Sequence, residues 1–186
     1  MEKKWTKKDL NQPRYIQPKK YVGNKALSTY SIATAILVFV IYMFLLKPAA
    51  TTLSAFVQDL PLGVFLTTLI CSLTAFPSIK GDVKKGAAPQ MPLSKEEHPV
   101  YSGYPNNMVL ASLRFAFVGM ILFGFAPLGI AEFDLFGINP EGVELGMTWF
   151  CIIRALYAGI STHIMMKRVI YFIVCSNQNK FSHIAD

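Results

Sequence analysis

The chain has few charged residues for its length. Asp, Glu, Lys and Arg make up 16% of its 186 residues, whereas 53% are hydrophobic. An ordinary soluble domain is about 25% charged and about 45–50% apolar. The hydrophobic residues also fall into long blocks separated by polar segments. This distribution favours a membrane protein.

Cysteine and histidine are scarce as well, with three of each. Cys71, Cys151 and Cys175 have no CxxC spacing, which argues against a disulfide framework or a thiol relay. Only His163 lies in an apolar block, so a membrane haem with two axial histidines is not expected. No set of His, Cys, Asp and Glu has zinc-ligand spacing, and no Gly-rich phosphate loop is present. The sequence therefore predicts no cofactor and no metal, and it offers no catalytic residue.

Acidic residues are missing from the four longest apolar blocks, at residues 26–46, 60–79, 108–130 and 147–174. Each block is long enough to cross about 30 Å of hydrocarbon at about 1.5 Å per residue. Without a membrane carboxylate, proton-coupled cation antiport is disfavoured. The first block follows a polar segment and is too long for a signal peptide. We predict an all-α protein whose transmembrane domain, residues 26–175, is a bundle of four helices, with Pro61 and Pro77 trimming the second span.

Basic residues concentrate in alternate segments of this predicted topology. The arm at residues 1–25 has eight Lys or Arg against two acids, and the connector at residues 80–107 has four Lys. The loop at residues 131–146 has no base and four acids: Glu132, Asp134, Glu141 and Glu144. The positive-inside rule predicts that both termini, including the polar tail 176–186, and the connector are cytoplasmic. The proline-rich connector is expected to extend along the inner membrane face.

Basic residues beside the spans are expected to contact anionic lipid headgroups, at about 1 kcal/mol per Lys or Arg. They are Lys3, Lys4, Lys7, Lys8, Lys19, Lys20, Lys25, Lys167 and Arg168. The arm interleaves bases with aromatic residues, as nucleic-acid-binding segments do. Its position directly before a span favours lipid, so no nucleic-acid partner is predicted.

The fourth block carries polar residues at helical spacing. Two neighbouring stripes result: Arg154, Tyr157, Ser161 and Arg168, and His163, Lys167 and Tyr171. An arginine at the centre of a span costs about 2.5–3.5 kcal/mol, so Arg154 is expected to face protein or water. Pairing with main-chain carbonyls or with the acids of loop 131–146 is the favoured interpretation, and an anion or headgroup site is the alternative. The candidate intramembrane polar site comprises Arg154, Tyr157, Ser161, His163 and, from the third span, Arg114.

Small residues recur at helical spacing on three spans and predict close helix contacts. They are Ala155, Ala158, Gly159 and Thr162 on the fourth, Ser112, Ala116 and Gly119 on the third, and Ser31 and Ala35 on the first.

These features predict a non-enzymatic accessory, assembly or regulatory subunit of a membrane complex, whose partners are lipids and other subunits or further copies of the chain. The alternative is an oligomeric transporter or channel for a small anion or polar solute. A membrane enzyme acting on lipid headgroups ranks third. Its best support is Glu96, Glu97 and His98 in the connector, which fit a solvated charge run better than a metal site.

Overall fold

The structure is a computed structural model that describes residues 18–48, 51–89, 91, 95–132 and 142–181, with residues 132 and 178–181 described by their backbone alone. About 81% of the described residues are helical, and this part of the chain contains no strand. Four of its helices are long and apolar enough to cross a membrane. The predicted all-α architecture, with four helices long and apolar enough to span a membrane, is confirmed.

The four long helices follow one another along the chain. In that order they are α1 (Pro18–Leu46), α2 (Leu53–Lys84), α3 (Met108–Glu132) and α4 (Met147–Phe181). Three stretches within them are π-helical: Lys25–Ser31 and Ile41–Leu46 in α1, and Met120–Phe125 in α3.

The helices extend beyond the apolar blocks that predicted them. α1 begins at Pro18 rather than residue 26, and α4 runs through the start of the predicted tail to Phe181. Hydropathy marks only the part of a helix that suits hydrocarbon, whereas main-chain hydrogen bonding continues into polar turns.

The prediction that prolines trim the second span is wrong, because Pro61 and Pro77 both lie inside α2. The helix begins earlier, at the N-cap Thr52, whose hydroxyl accepts a hydrogen bond from the Ala55 amide at 3.2 Å. Prolines are tolerated inside membrane helices because neighbouring groups satisfy the carbonyls that they leave unpaired.

Helix α4 is central to the packing, since it contacts α1, α2 and α3, and α2 also packs on α3. Glycines bring the helices close together. A Cβ added at Gly159 of α4 would lie 3.1 Å from the Ala35 Cβ of α1. One added at Gly119 of α3 would lie 3.1 Å from the Thr68 hydroxyl of α2. These are the close contacts that the small residues predict.

The bundle has two distinct ends. The hairpin end carries the described residues of the two connections, 47–48, 51–52 and 142–146, and the connector end carries Pro18, Phe181 and the described residues of the connector. At the hairpin end the two connections are joined, because the Leu53 amide donates to the Val143 carbonyl at 3.0 Å and the Leu145 amide to the Thr51 carbonyl at 3.0 Å.

The largest buried cluster lies at the connector end. Rings from the connector pack onto α3 and α4 there, with the Tyr104 and Phe115 centroids 4.7 Å apart and those of Tyr101 and Phe172 5.7 Å apart. The described connector residues 95–104 form turns rather than the extended segment that was expected. Tyr101 and Tyr104 are buried in this cluster, and burial of two large rings favours turns that direct them inward.

Candidate functional site

Arg154 lies near the hairpin end, where its buried side chain joins α4 to α2. Its Nη1 donates to the Phe56 carbonyl at 3.2 Å and its Nη2 to the Asp59 carbonyl at 3.3 Å. Each carbonyl has a second lone pair, so it accepts the guanidinium bond beside its helical bond. The guanidinium carbon also lies 4.3 Å from the centre of the Tyr42 ring of α1. Three helices therefore meet at this one cation.

The carboxylate beside Arg154 belongs to Asp59, at 3.4 Å from Nη2. The sequence interpretation placed the acidic partner in the loop 131–146, and of its four acids only the Glu144 side chain lies within the described residues. Asp59 is 57% exposed, so solvent screens this ion pair. The contacts of Arg154 with the two main-chain carbonyls are more buried than its ion pair with Asp59. Pairing with main-chain carbonyls was one of the partners that the sequence interpretation allowed.

Tyr157 sits one turn along α4 and binds a main-chain carbonyl of α3 four residues before a proline. In a regular α-helix the residue-127 amide would donate to the Phe123 carbonyl, but Pro127 has no amide hydrogen. The Tyr157 hydroxyl donates to that carbonyl at 2.7 Å. Tyr157 thus satisfies a main-chain acceptor of α3 at the end of its π-helical stretch.

A small cavity of about 60 Å³ adjoins Arg154 and Tyr157 and is also lined by Tyr42 and Gly63. One water molecule takes about 30 Å³ of liquid volume, so the space suits one or two waters or a small ion.

Among the residues that the structure describes, the side chains of the other predicted polar residues form no hydrogen bond with the side chains of Arg154 and Tyr157. Ser161 donates to its own helix, at 2.8 Å from the Tyr157 carbonyl. The Nδ1 of His163 is buried without a hydrogen-bond partner among the described residues. Arg114 lies at the connector end, with its guanidinium carbon 4.2 Å from the centre of the Tyr104 ring and Nη1 donating to the Gly103 carbonyl at 2.5 Å. The predicted polar site is therefore divided between the two ends of the bundle.

A much larger cavity, of about 870 Å³, opens at the connector end between the start of α1, α4 and the connector. We call it the connector cavity. It brings together three of the predicted headgroup contacts, Lys19, Lys167 and Arg168. Two residues that the sequence interpretation did not assign to a site, His98 and Tyr101, line it from the connector.

Two of the remaining predicted headgroup contacts, Lys20 and Lys25, are described, and neither lines this cavity. Lys25 pairs with Asp82 at 2.9 Å and so links α1 to α2. Lys20 is exposed beside the cavity without lining it. Lys3, Lys4, Lys7 and Lys8 lie outside the described residues.

Tyr101 and His98 hold the connector against α4 at this cavity. The Tyr101 hydroxyl donates to the Arg168 carbonyl at 3.3 Å. Burial raises the pKa of Tyr101 to about 12, so the phenol remains a neutral donor at neutral pH. The His98 ring stacks on Tyr101 with centroids 4.3 Å apart, and its Nδ1 accepts from the Val100 amide at 3.2 Å.

Across the ranges that the structure describes, no group of three or more His, Cys, Asp or Glu is placed to hold a metal ion. No protein-family model matches the chain, and neither a curated protein nor a solved structure matches it.

Proposed function

We propose that the chain is an integral membrane protein in which α1 to α4 cross the bilayer and the connector end faces the cytoplasm. Charge supports this orientation. The connector end exposes six bases against the acids Glu96 and Glu97, whereas the described part of the hairpin end exposes the base Lys47 and the acids Asp59 and Glu144. The six bases are Lys19, Lys20, Lys84, Lys85, Lys167 and Arg168. Cytoplasmic segments of membrane proteins carry the excess of Lys and Arg.

Cysteine labelling tests this orientation. Ser102 and Glu144 are exposed at opposite ends of the bundle, and each is replaced by cysteine after Cys71, Cys151 and Cys175 have been changed to alanine. A membrane-impermeant maleimide should label Glu144→Cys in intact cells and Ser102→Cys only after permeabilisation. The cysteine-free parent is the control. The reverse pattern would contradict the orientation, and labelling of both positions in intact cells would contradict the four-span topology.

We further propose that the protein is a non-enzymatic accessory, assembly or regulatory subunit of a membrane complex. The observation that carries this proposal is that polar side chains inside the bundle bind other helices of the same chain. Arg154 and Tyr157 both donate to main-chain carbonyls of neighbouring helices, at 2.7 to 3.3 Å. Polar groups in a bilayer are costly unless they are paired, so these contacts favour a role in fixing the bundle.

Apolar side chains on the outer faces of the helices support a role in association. Ile36 on α1 and Ile121 on α3 are 60% and 58% exposed. Lipid or another subunit would cover such residues in a membrane, and association between helices there depends on packing rather than on the hydrophobic effect.

Photo-crosslinking separates lipid from a protein partner. A photoreactive residue is placed at Ile36, at Ile121 or, as a control, at Ile79, which is fully buried. We expect discrete protein adducts from at least one exposed position, none from Ile79, and a complex larger than the monomer in mild detergent. A monomer whose exposed positions crosslink only to lipid would contradict the accessory role.

Transport of a small anion or polar solute is the second candidate function. It is favoured by the cavity of about 60 Å³ beside Arg154 and Tyr157, which offers a cation and a phenol to a small guest. In this case an oligomer of the chain would complete the pathway.

A further inference from the structure

We propose that the connector cavity binds one anionic phospholipid, whose phosphate is held by Lys19, Lys167 and Arg168 and whose hydrocarbon lies along Val22 and Ile164. The inference goes beyond the accessory role, and it rests only on the proposed placement of this end at the membrane surface. Five observations carry it: the charge of the lining, the charge of the neighbouring chain, the volume, the apolar wall and the fixed connector.

The lining is strongly cationic. Lys19 comes from the start of α1, and Lys167 and Arg168 come from α4, so two helices present cations to one space. The lining includes no Asp or Glu among the residues that the structure describes. Converging cations with no acid between them attract a phosphate, and Arg offers it two parallel N–H donors.

The segment before α1 does not complement this charge. Residues 1–17 carry five Lys or Arg against two acids. A cationic segment would raise the repulsion in the cavity, whereas an anionic headgroup relieves it. By charge, an anionic lipid is therefore a better occupant than the chain's own N-terminal residues.

The volume and the wall indicate an amphiphile rather than a small inorganic anion. The cavity of about 870 Å³ is near the upper end of the range for ligand sites, about 300–1,000 Å³. Val22 and Ile164 contribute hydrocarbon to the wall, and Gly23 leaves it open, since an added Cβ there would meet nothing within 4 Å. An inorganic phosphate would leave this apolar surface uncovered, whereas an acyl chain covers it.

The polar side of the cavity is fixed before any ligand arrives. The Nδ1 of His98 accepts from the Val100 amide, so the other ring nitrogen, Nε2, is the one that can donate to a phosphate ester oxygen. The bond from Tyr101 to the Arg168 carbonyl holds the connector against α4. Binding to a site that is already ordered loses less conformational entropy.

Native mass spectrometry of the full chain in detergent tests the proposal with defined probes. Phosphatidylglycerol and phosphatidylcholine with identical acyl chains are titrated, together with glycerol phosphate and inorganic phosphate. We expect one phosphatidylglycerol per chain, bound about tenfold or more tighter than phosphatidylcholine, because only the former has a net negative charge. Equal binding of the two lipids would overturn the charge argument. Binding of inorganic phosphate as tightly as phosphatidylglycerol would overturn the lipid argument.

Two kinds of variant locate the site. Lys167→Gln with Arg168→Gln should weaken phosphatidylglycerol binding by about tenfold or more. Its control, Lys20→Gln with Lys84→Gln, removes the same charge from exposed positions at the same end, outside the lining, and should change binding little. Gly23→Phe fills the cavity without changing the charge and should also weaken binding. An equal loss in the control pair, or unchanged binding in Gly23→Phe, would overturn the assignment to this cavity.

The outcomes separate this proposal from the accessory role. A protein that is monomeric in mild detergent yet retains one phosphatidylglycerol contradicts the accessory role alone. A protein that enters a complex but binds both lipids equally contradicts the lipid site alone.

Discussion

Gly124→Ala is expected to lower the stability of the bundle strongly, although it adds a single methyl group. A Cβ at this position of α3 would lie 2.5 Å from the Pro61 Cα and 3.1 Å from the Pro61 nitrogen of α2. Both are main-chain atoms, so no side chain can rotate away and the two helices must separate. Forcing extra atoms into a packed interior typically costs about 1–3 kcal/mol, and occasionally more.

Gly129→Ala is the matched control for this substitution. Gly129 lies in the last helical stretch of α3, Ala126–Glu132, and an added Cβ there meets nothing within 4 Å. Alanine is a better helix former than glycine by about 1 kcal/mol, so this variant should be as stable as the parent or more stable. Thermal unfolding in one detergent, followed by circular dichroism, measures both midpoints. Equal midpoints for the two variants would show that α2 and α3 do not approach as closely as the structure indicates.

The contact between Pro61 and Gly124 belongs to a junction of three helices. Gly124 lies in the π-helical stretch of α3, where the Ala126 amide donates to the Ile121 carbonyl five residues earlier. The adjoining Phe123 carbonyl is bound by Tyr157 of α4. Irregular main chain is tolerated in a membrane where protein buries it and binds its polar groups. Here Pro61 of α2 packs on the main chain at Gly124, and Tyr157 of α4 binds the polar Phe123 carbonyl.

The four long apolar helices were predictable because hydropathy reports directly on the cost of moving a segment into hydrocarbon. The inward direction of Arg154 was predictable for a related reason, since helical spacing places it with Tyr157 and Ser161. Its partners were not predictable. Asp59 is 95 residues away in sequence, and no local pattern records which carbonyl a folded helix brings near.

The same limit applies to the connector cavity, because local sequence marks its cations but not the packing that brings them together. Lys167 and Arg168 stand out in the sequence as cations ending an apolar block. Their convergence with Lys19 depends on how α1 packs against α4, and the part played by His98 depends on burial of the neighbouring Tyr101. A proline-rich composition predicts irregular structure, but it does not indicate which of its aromatic side chains enter the core.

Arg154→Gln is expected to lower the stability of the bundle much more than Asp59→Asn does. Hydrogen bonds that involve a charged group contribute about 1.5–3 kcal/mol each. Glutamine loses the charge, the fork to the two carbonyls and the contact with the Tyr42 ring. Asp59 is 57% exposed, so its neutralisation removes only a screened ion pair, worth about 0–1 kcal/mol. Arg154→Lys keeps the charge without the planar fork and should fall between them.

Thermal unfolding of the three variants checks this order, and flux measurements in proteoliposomes show whether Arg154 also serves transport. In a purely structural role Arg154 stabilises the helices, so the midpoints fall in the order given and the parent protein moves no anion. An anion pathway would instead show flux in the parent that Arg154→Gln abolishes, with Arg154→Lys retaining part of it. A midpoint for Asp59→Asn as low as that of Arg154→Gln would mean that the carboxylate, rather than the buried carbonyls, holds this cation.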